Sequence, residues 1–130
     1  MEYKAEWWSI DMLPEWTAEE DEECTSFFAS PQLGVLQVSA VMKPTGSVTE
    51  EDIAEFAYDS QTPREAIRPV SASHVSGLYA EYEEAGSYWM EWWLKGKSVL
   101  VFVTYNVAPE DKDSESAAID ALISSLRITA

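Results

Sequence analysis

The sequence predicts an α+β protein, an α/β/α sandwich with a central antiparallel sheet and two main helices, at about residues 50–59 and 114–126. Three observations carry that expectation. Apolar and polar residues alternate from Leu78 to Tyr105, interrupted by single glycines. Two other stretches carry apolar residues at helical spacing. The 130 residues are 46% hydrophobic, with six tryptophans and one cysteine, enough for one core without disulfides. Layering helices on a sheet buries every such face, and no repeat or Gly/Ser linker divides residues 1–130, so a single domain is expected.

Trp8 and Ile10 alternate with Ser9 and Asp11, predicting a first strand that stops at Pro14, with Trp16 as an anchor behind it. The acidic run Glu19 to Glu23 leads into a second strand, Cys24 to Ala29, closed by Ser30-Pro31 and Gly34. A third strand, Val35 to Met42, sets Leu36, Val38, Ala40 and Met42 on one face and Gln37 and Ser39 on the other. After the break at Lys43-Pro44-Thr45-Gly46, Thr49 and Asp52 form an N-cap with an acidic first turn. Ile53, Phe56 and Ala57 then recur at i, i+3, i+4, predicting the first helix. Residues 60–75, with Pro63, Pro69 and His74, read as a loop or irregular edge strand.

Gly96-Lys97 suits a two-residue hairpin turn that pairs Leu94 with Val99, Trp92 with Val101, Met90 with Val103 and Tyr88 with Tyr105. For the preceding strand, a two-residue turn at Ala85-Gly86 would put Glu81 and Glu83 on that apolar face. A three-residue loop, Ala85-Gly86-Ser87, instead aligns Leu78, Ala80 and Tyr82 with Leu94, Trp92 and Met90, and is the expected register. The opposite face then holds Trp89, Glu91, Trp93 and Lys95 beside Leu100, Phe102 and Thr104. Either it is an exposed patch or the C-terminal helix covers it. That helix, capped by Ser114 or Asp113, presents Ile119, Leu122, Ile123 and Leu126 at i, i+3, i+4, i+7.

Twenty-four Asp and Glu against eight Lys and Arg give a formal net charge of -16. Such a surface repels phosphate backbones and anionic lipid, which makes nucleic acid and membrane poor partners and a basic protein, basic peptide or cation good ones. The same charge also serves solubility or adaptation to salt. With one cysteine and one histidine, the only nucleophile pair is Cys24 with His74, and the acidic run before Cys24 opposes a thiolate. Asp111, Asp113 and Glu115 imitate the start of a calcium loop, but Ser116 and Leu122 stand where it needs Gly and Glu. The glycines are dispersed, so no phosphate loop is present, and no cofactor or metal is expected. No signal sequence or apolar span is visible, so a cytoplasmic location is expected.

The opening strand into Pro14 and Trp16, the Thr49 to Asp52 helix start, the Trp89 to Trp93 and Leu100 to Tyr105 strands and the Ile119 to Leu126 helix resemble the bacterial branch of the PsbP-like domains. These share their fold with a eukaryotic Ran-binding nuclear-import factor. The resemblance spans nearly the whole chain and implies an α/β/α scaffold used mainly for binding. Members are associated with photosystem assembly, GTPase binding and, in bacteria, secretion accessory or toxin-immunity roles. No catalytic residue of the family maps here.

The function expected is therefore a non-enzymatic bacterial protein-binding module, in its most concrete form an immunity or accessory protein sequestering a basic partner. Its candidate surface is Trp89, Glu91 and Trp93, with Glu81 and Glu83 and with Glu19, Glu20 and Asp21. Aromatics ringed by carboxylates suit Arg and Lys. The alternatives are a small-ligand or cation-binding protein with a Trp-lined pocket and, more remotely, a carboxylate-based hydrolase.

Overall fold

A computed structural model describes residues 1–130. A small antiparallel sheet joins β1 (Glu2–Lys4), β2 (Trp8–Asp11) and β10 (Arg127–Ile128) in the order β1-β2-β10. The main sheet contains β3 (Trp16–Glu20), β4 (Thr25–Ala29), β5 (Val35–Met42), β6 (Arg68–Ser71), β7 (Ser76–Glu84), β8 (Ser87–Lys95) and β9 (Val99–Val107). Its order is β3-β4-β5-β9-β8-β7-β6, and every pairing is antiparallel. With helices α1 (Glu50–Tyr58) and α2 (Ser116–Ser125), the protein is α+β.

Alternation along the central strands divides the interior in two. Val99, Val101, Val103 and Tyr105 of β9 join Trp92, Leu94, Leu36 and Phe27 under Ile119, Leu122 and Ile123 of α2 and Trp8 and Ile10 of β2. On the other face, Trp93, Leu100 and Ala80 lie under Ile53 and Ala57 of α1, with Val48. Each such fully buried aliphatic side chain contributes roughly 1.5–3 kcal/mol. The face carrying Trp93 is thus covered by α1, and α2 covers the opposite one.

Thr49 caps α1 as its sequence predicts: its Oγ1 accepts from Asp52 N–H at 3.1 Å, and Asp52 Oδ2 accepts from Thr49 N–H at 2.9 Å. α2 starts later than expected, with Glu115 rather than Ser114 or Asp113 at its N-cap and no side-chain cap. A 3₁₀ turn at Pro109–Asp111 takes up the chain before it. The Glu115 carboxylate turns inward and accepts from the Tyr105 hydroxyl at 2.7 Å and Gly34 N–H at 3.2 Å.

Both hairpin registers differ from expectation. Lys95 pairs with Leu100, Leu94 with Val101 and Trp92 with Val103, a shift of two residues that leaves every side chain on its expected face. The Gly96–Val99 connection is longer because its polar groups serve distant partners: Lys97 N–H donates to Ala130 O, and Lys97 O and Ser98 O accept from Val48 N–H and Lys43 N–H. The β7–β8 hairpin uses the two-residue turn, with Ala85 and Gly86 at φ 53° and 79° and Glu84 opposite Ser87. Positive φ at both central residues matches the strand twist. Glu81 and Glu83 therefore share the face of Trp92, opposite Met90 and Tyr88. Both remain exposed, because this end of the strand lies beyond the cover that α2 and β2 provide.

Candidate partner-binding surface

The proposed aromatic surface is not assembled. Trp93 is 0% exposed and stacks on Phe102 with ring centroids 5.7 Å apart. Glu91 is 7% exposed and its Oε1 accepts from the Tyr82 hydroxyl at 2.8 Å and from the Thr62 hydroxyl. Burial, and then this bond to Glu91, push the Tyr82 hydroxyl up to about 12. Only Trp89 reaches solvent, half-buried between Tyr82 and Asn106 in the sheet. The expectation of a joint Trp89, Glu91 and Trp93 surface is corrected: α1 folds over this face and makes Glu91 and Trp93 interior groups.

The carboxylates on the outside fall into separate groups. Glu19 and Glu20 project from the edge strand β3, and Asp21 begins the turn into β4. Asp21 Oδ1 accepts the Cys24 and Glu23 N–H groups at 2.9 and 2.8 Å, which hold its carboxyl below the ordinary range. Glu81 and Glu83 stand on β7, five strand spacings away in the sheet order, about 24 Å. Glu81 accepts from the Tyr88 hydroxyl. Two ion pairs form, Lys43–Asp52 at 2.7 Å and Lys4–Glu2 at 3.8 Å. Most of the acidic exterior is thus uncompensated, and no three of its carboxylates, with His and Cys included, converge closely enough to hold a metal ion.

Cys24 and His74 are not brought together. They lie at the β3–β4 and β6–β7 connections, five strand spacings or about 24 Å apart across the sheet by strand order. Burial, then the neighbouring Asp21 charge, push the Cys24 thiol up.

Two grooves flank α1. One, of about 330 Å³, runs between α1 and the end of β5 and is lined by Val41, Met42, Val48, Phe56, Glu55 and Asp59 among others. The second, of about 320 Å³, lies toward β6 and β7 and includes Ile53, Tyr58, Pro69, Leu78 and Lys95. Neither is lined by a tryptophan. Sequence reading set Met42 and Phe56 on the apolar faces of the third strand and first helix and did not single out Val41, although the paired apolar residues ending that strand put one on each face.

Fold and surface define an acidic α+β protein with a seven-stranded antiparallel sheet, a small three-stranded sheet and two helices. It is similar in structure to a protein of Bacteroides thetaiotaomicron VPI-5482, with TM-score 0.73 and 16% identity over 99% of this chain and 48% of that one. This chain therefore spans about half the length of that protein. It is also similar to LpqN of Mycobacterium tuberculosis, involved in cell envelope biogenesis, with TM-score 0.62 and 9% identity over 95% of this chain and 83% of that one. At these identities the likeness is one of fold. No family model and no curated protein matches the chain.

Proposed function

We propose that this protein is a non-enzymatic binding module that takes up a basic protein or peptide through its acidic exterior, in its most concrete form an immunity or accessory protein sequestering that partner. The observation that carries this reading is the uncompensated charge: twenty-four acidic against eight basic residues, with two ion pairs formed. Dispersed carboxylates raise the encounter rate of a cationic surface and do not create a point site for a metal. The reading includes a single PsbP-like α/β/α domain over residues 1–130, of bacterial type. It also includes cytoplasmic residence, in keeping with one free cysteine and with the lack of any helix long and apolar enough to cross a membrane.

The test is capture from native lysate at low salt, elution by a salt gradient and identification of what is released. One basic protein leaving sharply at moderate salt, and lost when Glu19, Glu20, Glu81 and Glu83 are changed to Lys, supports the reading. Broad elution that ignores those substitutions leaves the charge as a solubility device and overturns it.

A further inference from the structure

The outer edges of the main sheet are guarded against strand addition. β6 is short and holds Arg68 and Pro69, and β3 carries Glu19 and Glu20. A third edge is not. β4 pairs with β5 only as far as Thr25 opposite Val38, yet β5 continues to Met42. Lys43 N–H donates to Ser98 O on the β9 side, so strand alternation turns the N–H and C=O of Ala40 and Met42 away from β9, to the side where β4 no longer pairs. Ser39 to Met42 contain no proline and no charge, and Val41 and Met42 are 51% and 44% exposed.

The groove beside this edge is lined by apolar and acidic residues together. Val41 and the 39% exposed Phe56 line it together with the buried Val48 and Leu100 and with Glu55 and Asp59, and Lys43 is already paired with Asp52. Exposed Glu22 and Glu23 lie in the turn just before the residue where β4 leaves β5. A second copy of this chain is a poor occupant, since both copies carry -16.

We infer that the Ser39–Met42 edge takes an extended segment of a basic partner as an added strand. An Arg or Lys of that segment lays its methylenes over Val41 and Phe56 and carries its charge to Glu55 and Asp59. This rests on the acidic-surface reading and specifies where and in what conformation the partner binds.

The test uses three peptides of about eight residues, a usual strand length: alternating Arg and Val, alternating Glu and Val, and the Arg/Val peptide N-methylated at alternate amides. Affinity is measured at low salt by calorimetry, and the site by amide chemical shifts. The Arg/Val peptide is expected to bind with shifts at Ala40, Met42 and Phe56, and the Glu/Val peptide to bind at least tenfold more weakly. N-methylation and Met42→Pro should each weaken binding about tenfold, the effect of one or two lost hydrogen bonds. Glu55→Gln with Asp59→Asn should weaken it and flatten its salt dependence. Met42 N–H lies outside the ladder, so the proline is compatible with the fold, and the N-methylated peptide tests the edge without altering the protein. Equal binding of the methylated peptide, or shifts confined to Glu19–Glu23 and Glu81–Glu84, overturns strand addition and leaves the acidic-surface reading standing. No binding of any basic peptide overturns both. A low-salt dimer abolished by Met42→Pro overturns the basic occupant in favour of a second copy.

Discussion

Trp93→Phe should leave stability within about 1 kcal/mol of the wild type, a small effect for truncating a fully buried tryptophan. The indole is 0% exposed and its Nε1 has no hydrogen-bond partner. A buried donor left unsatisfied costs about 1–3 kcal/mol, and phenylalanine removes it. Against that gain, a residual cavity of about 35 Å³ costs roughly 0.8 kcal/mol. Some 40 Å² of lost apolar burial costs about 1 kcal/mol more. The opposing terms nearly cancel. Trp92→Phe, in the other core, is the control: its Nε1 is not orphaned, so the same truncation brings no gain and should cost about 2 kcal/mol. Urea unfolding followed by far-UV circular dichroism separates the two, since with a slope near 1.5 kcal/mol/M the control's midpoint falls by more than about 1 M. Equal losses at the two positions, or a loss above about 3 kcal/mol at Trp93, would refute the reasoning, because the indole N–H would then have a partner of value. Loss of partner binding with stability unchanged would return Trp93 to the binding surface.

Glu115→Ala should cost about 2–4 kcal/mol, and a double-mutant cycle with Tyr105→Phe should show coupling of at least about 1 kcal/mol, because the Glu115 carboxylate joins Tyr105 and Gly34 across the interior. Gly77→Ala should abolish folded protein in expression trials. The new Cβ would fall on the Trp93 carbonyl of the paired strand, and backbone on both sides cannot yield. Burial is the first cause raising the hydroxyls of Tyr79, Tyr82, Tyr88 and Tyr105, with Tyr82 at about 12 against an ordinary 10. The protonated form is favoured in the folded state, so this stability is complete below pH 10 and is lost as pH rises through about 12 for Tyr82. Ultraviolet titration should show tyrosinate appearing together with loss of far-UV ellipticity above pH 10, and Tyr82→Phe should weaken that coupling.

The strands were legible where one face is apolar along their whole length. Val35–Met42 has its predicted limits, and the first helix ends one residue short of its predicted 50–59 span. The β8–β9 pairing was misread by two residues without consequence, since an even shift preserves which side chains face the core. The β7–β8 pairing was misread by one, and Glu81 and Glu83 changed faces. The rule that charges leave the apolar face holds only where that face is covered, and the Ala85–Gly86 end is not. Of the small sheet only the central strand, Trp8–Asp11, left a signal, because β1 and β10 are three and two residues long and flank it from opposite ends of the chain. Either amphipathic helix could have covered Trp93. Tethers decide the matter: α1 follows β5 directly, and Val48 N–H binds Lys97 O beside that face. The acidic residues of the candidate surface were all readable, but their separation and the open edge of β5 depend on where β4 stops pairing.

The uncharged edge at Ser39–Met42 invites a last question: how copies of this chain avoid pairing through it. Local guards, a proline or an inward charge, are absent there. The field of the whole molecule takes their place, since two bodies of charge -16 repel at every approach while admitting cationic segments. That protection depends on the screening length, which falls from about 10 Å at 0.1 M salt to about 3 Å at 1 M. Sedimentation equilibrium should therefore show the weight-average mass rising between those conditions at fixed protein concentration. Met42→Pro should suppress the rise, because it removes an outward N–H that the copies would share. Glu55→Gln with Asp59→Asn should move the rise to lower salt. A mass that does not change with salt, or one that rises equally in the proline variant, would show that something other than charge protects this edge.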